Sequence, residues 1–438
     1  MSLLTPLLFA VMPAVRAVLS NDSSGLTHNS RSSSPSRARS RLLGTFVVAQ
    51  VALALVLSVG AGLLVRSFVY LLNTDIGFRP EQVVRLTATL PSGRYGNGQR
   101  VRSFYQQAVE AAERIPGVTR AAAGNDLPLA AAERRAFTAD GNAKPIPVAS
   151  RLIAPHWVSS NYFDTLGISL KRGRLFTEAD NQTSQLVIII NESIARLVWP
   201  DADPIGQRIK WGTEASLSPW MTIVGVVGDV KHGALDVPAM PQVYVPTSQE
   251  TDPEFNSGLQ RTMNLVVRTS RDADSVIADL RTSIRQIDPQ LPVIAQTLTN
   301  MIGDSLRPQR FSMGAVMLFA GIALLLAAIG IYGVLSNVVS QQRMEIGVRI
   351  ALGATTSDVL WMVFRRALIF TTIGVVIGTT GALAVTRLMS SLLYGIRPTD
   401  GIAFFSAALA LGLLAFAASL IPAWRATRID LLEALAAD

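Results

Sequence analysis

No cysteine occurs anywhere in the chain, which excludes disulfides and thiolate metal sites. Lysine is nearly as scarce. Lys144, Lys171, Lys210 and Lys231 are followed by Pro, Arg, Trp and His, so the GxxxxGK[ST] pattern whose lysine reaches nucleotide phosphates does not occur. The chain alone is therefore not expected to hydrolyse ATP. The histidines His28, His156 and His232 are isolated in sequence, and each is expected on the surface or in a loop. No nucleophile elbow, metal-ligand spacing or paired carboxylate is present either: the acidic residues of "TEAD" and "PDADP" read as capping and loop residues. The sequence is not that of an enzyme, and it calls for no cofactor and no metal.

Charge is absent from long stretches. Residues 42–65, 311–342, 367–386 and 401–424 contain no Lys, Arg, Asp or Glu, in a chain that is 49% hydrophobic and only 16% charged. Each reaches the ~20 residues that a bilayer-spanning helix needs. Four transmembrane helices are expected, over 42–70, 311–342, 367–392 and 401–424. The second is long: its uncharged residues would reach about 48 Å as a helix, against a hydrocarbon core of about 30 Å. The excess predicts a stalk that leaves the membrane. Gly321, Gly330, Gly333 and the GxxxG at Gly374 and Gly378 allow close helix packing. Gln50 and Asn337 are isolated polar groups that offer no proton or ion pathway.

What charge there is lies between these stretches. Arg31, Arg37, Arg39 and Arg41 precede the first, Arg343, Arg349, Arg365 and Arg366 lie between the second and third, and Arg425 and Arg428 follow the fourth. Clustering of this kind forms no nucleic-acid-binding face, although the net charge is +8. By the positive-inside rule the three clusters are cytoplasmic, both termini with them, and residues 71–310 lie outside.

Within 71–310 a turn at Gly77 and Pro80 leads to a strand, a helix over 99–114, the breaker "IPGV" and a second strand. The order recurs near the other end. There "MNLVVRT" is followed by a helix over 273–287, the breaker "DP" and the strand "LPVIAQTL". Between them, over 144–249, lies a β-rich insert with a buried strand "QLVIII" feeding a short helix at Asn191, and a strand "MTIVGVVGDV". The fold class is an α-helical membrane domain of four transmembrane helices plus an α+β outer domain, two βαβ units bracketing a β-rich insert.

The segment "QQRMEIGVRIALGATTSDV", which begins at Gln341, stands between the second and third spans. Burying Arg343, Glu345, Arg349, Arg365 and Arg366 at membrane depth would cost roughly 12 kcal/mol, so 343–366 must lie at the cytoplasmic surface. Glu345 and Arg349 are an i,i+4 pair; Met344, Val348 and Leu352 form one apolar stripe, and Ile346 and Ile350 another. Gly353 can end this helix and "TTSD" can start the next. A short helix with two apolar faces is suited to docking a partner.

"QQRMEIGVRIALGATTSDVLWMVFRRA" resembles the cytoplasmic coupling segment of MacB/FtsX-type ABC transporter permeases, R-x-E-I-G-[IV]-R-x-A-L-G-A. "VAQVALALVLSVGAGLLVRSF", "NYFDTLGISLKRGRLFTEAD", "NESIARLVWPDADPIGQRI", "VGVVGDVKHGALDVPAMPQVYVP" and "IPAWRATRIDLLEAL" resemble that family's periplasmic core and membrane domains, in the same order. The resemblance implies a multi-pass protein of the bacterial inner membrane whose large domain, 71–310, is periplasmic. It implies a permease subunit that couples ATP hydrolysis by a separate cytoplasmic ABC ATPase to movement of that domain. The alternative within the family is a regulator that activates an extracellular partner and transports nothing. The partners implied are the ATPase, a second permease half or a second copy, and a periplasmic adaptor; no nucleic acid is implied. By the motif, Arg343, Glu345, Ile346, Gly347, Arg349, Leu352 and Gly353 would contact the ATPase.

Two departures stand out. The tail 425–438 has Leu431 where the family usually has proline, and it lacks the customary terminal Arg. "VMPAVRA" at the beginning echoes "LIPAWRA" at the end of the fourth span. Residues 1–20, too short and too interrupted by Pro13 and Arg16 for a dependable span, thus read as the remnant of a preceding transmembrane helix. The resemblance is to the second half of a duplicated orphan permease. Residues 21–41, rich in Ser, Asn and Arg, read as a flexible basic linker.

Overall fold

The computed structural model describes residues 35–427, apart from 97, 129–133, 141–151, 234, 236, 250–261 and, within 343–354, all but 346, 349 and 352. The expected remnant at 1–20, most of the linker, His28 and the tail beyond 427 lie outside the described residues. Four helices are long and apolar enough to cross a membrane: α1 (Pro35–Leu72), α7 (Arg307–Gln341), α8 (Thr356–Leu388) and α9 (Gly401–Thr427). Residues 35–41, expected in the linker, are helical. Within the described residues α1 runs from Pro35.

Contacts divide the chain into two units, one of residues 1–50, 327–374 and 414–438, the other of 51–326 and 375–413. In the first, a Cβ at Gly330 would overlap the Gln50 side chain, and Phe364 stacks on Phe416 with ring centroids 5.2 Å apart. In the second, a Cβ at Gly378 would sit 2.9 Å from the Ala52 carbonyl oxygen, so α8 and α1 approach closely there. Gly321 and Gly333 have no neighbour within 4 Å of where a Cβ would be.

The large domain opens with β1 (Val83–Thr89), α2 (Gly98–Glu113) and β2 (Val118–Gly124), and closes with β10 (Thr262–Thr269), α5 (Ala273–Ile287) and β11 (Val293–Thr297). These are the two expected βαβ units, and they interlock: the strands run β11-β1-β10-β2, each pair antiparallel. Asp272 starts α5 by accepting a hydrogen bond from the Ser275 N–H, and Val276, Leu280 and Ile284 line its buried face. Val101, Phe104, Tyr105, Ala108 and Ala112 do the same for α2. Both helices cover the apolar face of the four strands, forming one core.

The insert contains β3 (Arg135–Ala139), β4 (Leu152–Val158), α3 (Tyr162–Leu166), β5 (Leu170–Gly173), β6 (Val187–Asn191), α4 (Glu192–Val198), β7 (Arg208–Trp211), β8 (Met221–Val227) and β9 (Gln242–Pro246). Strands β4-β3-β7-β8-β6-β9 pair in sequence, and β9 returns to pair with β4, so these six strands form a closed ring. Closure removes strand edges that would otherwise present unpaired backbone. Trp157, Ile188, Ile190, Ile209, Ile223 and Val243 pack together in its core. Asn191 ends β6 and caps α4, accepting from the Ile194 N–H.

One of the histidines is not where the sequence led one to expect it, and a second, in a loop as expected, is nonetheless buried. His156 lies in β4 and is fully buried, and His232, just after β8, is 2% exposed. Their rings stack with centroids 4.3 Å apart. Alternation along a single strand cannot reveal this, because β4 is buried on both faces.

The chain enters the domain from α1 through Gly77, whose φ of +81° suits glycine alone. A Cβ there would also overlap the carbonyl oxygen of Asp229. Gly77→Ala is expected to destabilise the large domain by about 2–4 kcal/mol, seen as a lower thermal midpoint in detergent, whereas Gly93→Ala, in open space, should be silent.

Candidate functional site

Helical hydrogen bonding continues past α7, the Ile346 N–H donating to the Gln342 carbonyl at 2.9 Å. Ile346 is 1% exposed. It sits in an apolar socket among Leu335, Val338 and Val339 near the end of α7 and Met362 and Val363 near the start of α8, with Gln342 and Arg366 at its edge. Leu352 is 83% exposed. Ile346 is thus buried and Leu352 presented to the surroundings. Arg349 is exposed as well. Arg343, Glu345, Gly347 and Gly353 lie outside the described residues.

Helix α8 starts earlier than the spans alone suggest. The Thr355 N–H and hydroxyl both donate to the Asp358 carboxylate, at 2.9 and 2.7 Å, while the Thr355 carbonyl accepts from the Asp358 N–H at 3.1 Å. Residues 356–366, expected in the coupling segment, are therefore the first turns of the helix that carries the third span. Trp361, in the second turn, is 65% exposed.

A second constellation joins the membrane helices to the large domain, and sequence reasoning did not single it out. Leu71 of α1, Leu306 just before α7 and Leu235 of the loop after β8 bury one another, with Phe68, Ile76, Ile302 and Tyr394 against them. Arg66 pairs with Asp400, whose carboxylate also accepts from the Ile402 and Ala403 N–H groups at the start of α9. Ser67 accepts from the Tyr394 N–H at 2.8 Å, and Arg310 lies 5.6 Å over the Phe68 ring. The signals for these were faint: Arg66 is the residue that ends the first uncharged stretch, and Asp400 the residue before the fourth.

The sequence matches the MacB-like periplasmic core domain over residues 47–283 and the FtsX-like permease C-terminal domain over 317–431. The chain belongs to the MacB/FtsX permease family. A curated relative, the macrolide export ATP-binding/permease protein MacB of Hahella chejuensis, is 27% identical over 296 residues, covering 64% of this chain and 42% of its own length. The MacB protein of Aggregatibacter actinomycetemcomitans is 26% identical over 226 residues, 50% of this chain and 33% of its own. The chain thus spans less than half the length of these relatives. The periplasmic region of MacB from Actinobacillus actinomycetemcomitans is a similar solved structure, with 18% identity, a TM-score of 0.35, and coverage of 53% of this chain and 95% of that one.

As a MacB/FtsX permease the chain places its periplasmic core domain between α1 and α7, and its FtsX-like region contains the Ile346 socket. The core domain is joined to the membrane helices through Leu71, Leu235 and Leu306. Arg66→Gln and Asp400→Asn are expected each to lower the stability of that junction. Because they remove the same pair, the double variant should be no worse than the poorer single one, with a coupling energy of about 1 kcal/mol in a thermal or denaturant cycle.

Proposed function

We propose that this chain is the permease subunit of an ABC machine in which a separate cytoplasmic ATPase drives movement of the periplasmic core domain. The observation that supports this reading most is the division of labour between Ile346 and Leu352. Ile346 fastens the segment to α7 and α8, while Leu352 stands 83% exposed beside it. A side chain of that size held in the open forms a natural docking knob, and seating Ile346 gives a partner's push a rigid lever into two membrane helices.

In this reading Arg343, Glu345, Ile346, Gly347, Arg349, Leu352 and Gly353 form the ATPase contact, and the chain contributes no reaction chemistry of its own. It sits in the inner membrane with both termini cytoplasmic. A second permease half, or a second copy, completes a two-fold arrangement, and the periplasmic domain works on an envelope substrate or an adaptor.

Glu345→Ala with Arg349→Ala, and separately Leu352→Asp, are the tests. Leu352 is already exposed, so its replacement should change stability by no more than about 0.5 kcal/mol. Stimulation of the partner ATPase in reconstituted membranes should fall about tenfold, the loss of ~1.4 kcal/mol of docking energy. Unchanged stimulation in both variants would reduce the segment to a surface helix.

A further inference from the structure

The stacked imidazoles of His156 and His232 lie in the periplasmic core domain, remote in sequence from the segment just discussed. Their surroundings fix the protonation of one ring. The Tyr244 hydroxyl donates to the Gln242 Oε1 at 2.9 Å, so the other end of that amide is the NH2 group. This Nε2 donates to the Val230 carbonyl at 2.7 Å and faces the His232 Nδ1 at 2.9 Å. With Gln242 Nε2 as the donor, His232 Nδ1 accepts and the proton of the neutral ring sits on its own Nε2; Nδ1 also lies 3.5 Å from the Val230 carbonyl. That Nε2 is buried and has no hydrogen-bond partner, as are both nitrogens of His156.

The groups facing the pair offer little to hold a positive charge. Among the described residues, the Asp126 Oδ2 lies 3.9 Å from the His156 Nδ1, and Asp229 acts on the neighbouring Tyr244. Tyr244, whose ring centroid is 5.3 Å from that of His156, and Tyr162, 6.3 Å from Tyr244, supply aromatic walls. Lys231, beside His232 in the chain, turns its Nζ away to the carbonyls of Leu235 and Val237. Protonating His232 on Nδ1 sets a donor against the Gln242 donor. To recover, Gln242 must turn, losing its bonds to Val230 and Tyr244.

The loop that depends on these bonds is the one that holds the membrane helices. Lys231 N–H donates to the Ile76 carbonyl at 3.1 Å, and Leu235 is the large-domain member of the cluster with Leu71 and Leu306. We infer that the His156–His232 pair is an acid-sensitive latch: proton uptake by the pair frees the 230–235 loop from β9 and loosens the domain's hold on α1 and α7. The periplasm follows external pH, so such a latch would disengage the domain from its drive in acid. Burial, with the neighbouring ring second, keeps His156 well below the ordinary histidine range, and burial lowers His232 to about 4. A depressed value in the closed state means that closure is fully favoured above about pH 6.5 and weakens progressively as pH falls from there toward 4.

The test is hydrogen–deuterium exchange of the full chain in lipid nanodiscs at pH 7.5 and 5.0, with rates corrected for intrinsic exchange. One group with values of 6.5 open and about 4 closed predicts about a thirtyfold rise in opening at the lower pH. The rise should appear in peptides covering 228–240 and 70–78 and be absent from 273–287, the helix α5 that packs in a different core. The double variant His156→Phe, His232→Gln keeps a ring and an acceptor in place and should lose the response. A wild type without local acceleration, an acceleration equal in all peptides, or a folded double variant with the full acid response would each overturn the latch.

Discussion

Leu71, Leu235 and Leu306 bury one another where the chain leaves one membrane helix and enters another, and the hold of the periplasmic core on those helix ends depends on that contact. A domain tethered only by two covalent crossings would swivel freely. Here the crossings are short and packed. Gly77 brings the incoming chain against the Asp229 carbonyl, and Lys231 binds the Ile76 carbonyl from the same side. Arg66, Asp400, Ser67 and Tyr394 add a polar clasp, with Asp400 serving at once as ion-pair partner and helix cap. Breaking one partner there leaves the other without its counter-charge in partly buried surroundings, which lowers the stability of the junction.

Within the domain, two structures of different character share one sheet. The interlocked βαβ units are layered, with α2 and α5 on one face of four antiparallel strands. The insert closes on itself, and its ring has its own core of branched and aromatic side chains. A closed ring resists bending because each strand is held on both sides, and the loop after β8, which reaches the junction, grows directly from it.

Much of this was legible in the sequence, for local reasons. The helix Ala273–Ile287 could be read to the residue because an Asp cap precedes it and its apolar positions recur every four residues. The four spans were legible because the bilayer tolerates no charge. Pairings between distant segments were not. The parallel match of β4 with β9, which closes the ring, and the stacking of His156 on His232 bring together residues that no periodicity links. The helical state of residues 35–41 escaped because a Ser- and Arg-rich run has the composition of a linker, although Arg and Ala are good helix formers. At the site, the sequence placed Ile346 and Leu352 on different stripes without showing which would be buried, because the socket beside Ile346 draws on α7 and α8 together and could not be foreseen from either.

The central claim is that the periplasmic core and the helix ends at the junction move as one body. Because the chain has no cysteine, paired spin labels can be placed at will. Ile294 on β11 and Phe311 in α7 are 70% and 79% exposed, so neither label disturbs packing. Double electron–electron resonance on the permease with its ATPase, nucleotide-free and nucleotide-trapped, measures the distance across the junction within one copy. The account predicts that its mean stays within about 2 Å between the two states. A shift on the order of 5 Å, one helical turn of slip, would show that the junction yields under load and that the domain is not rigidly driven.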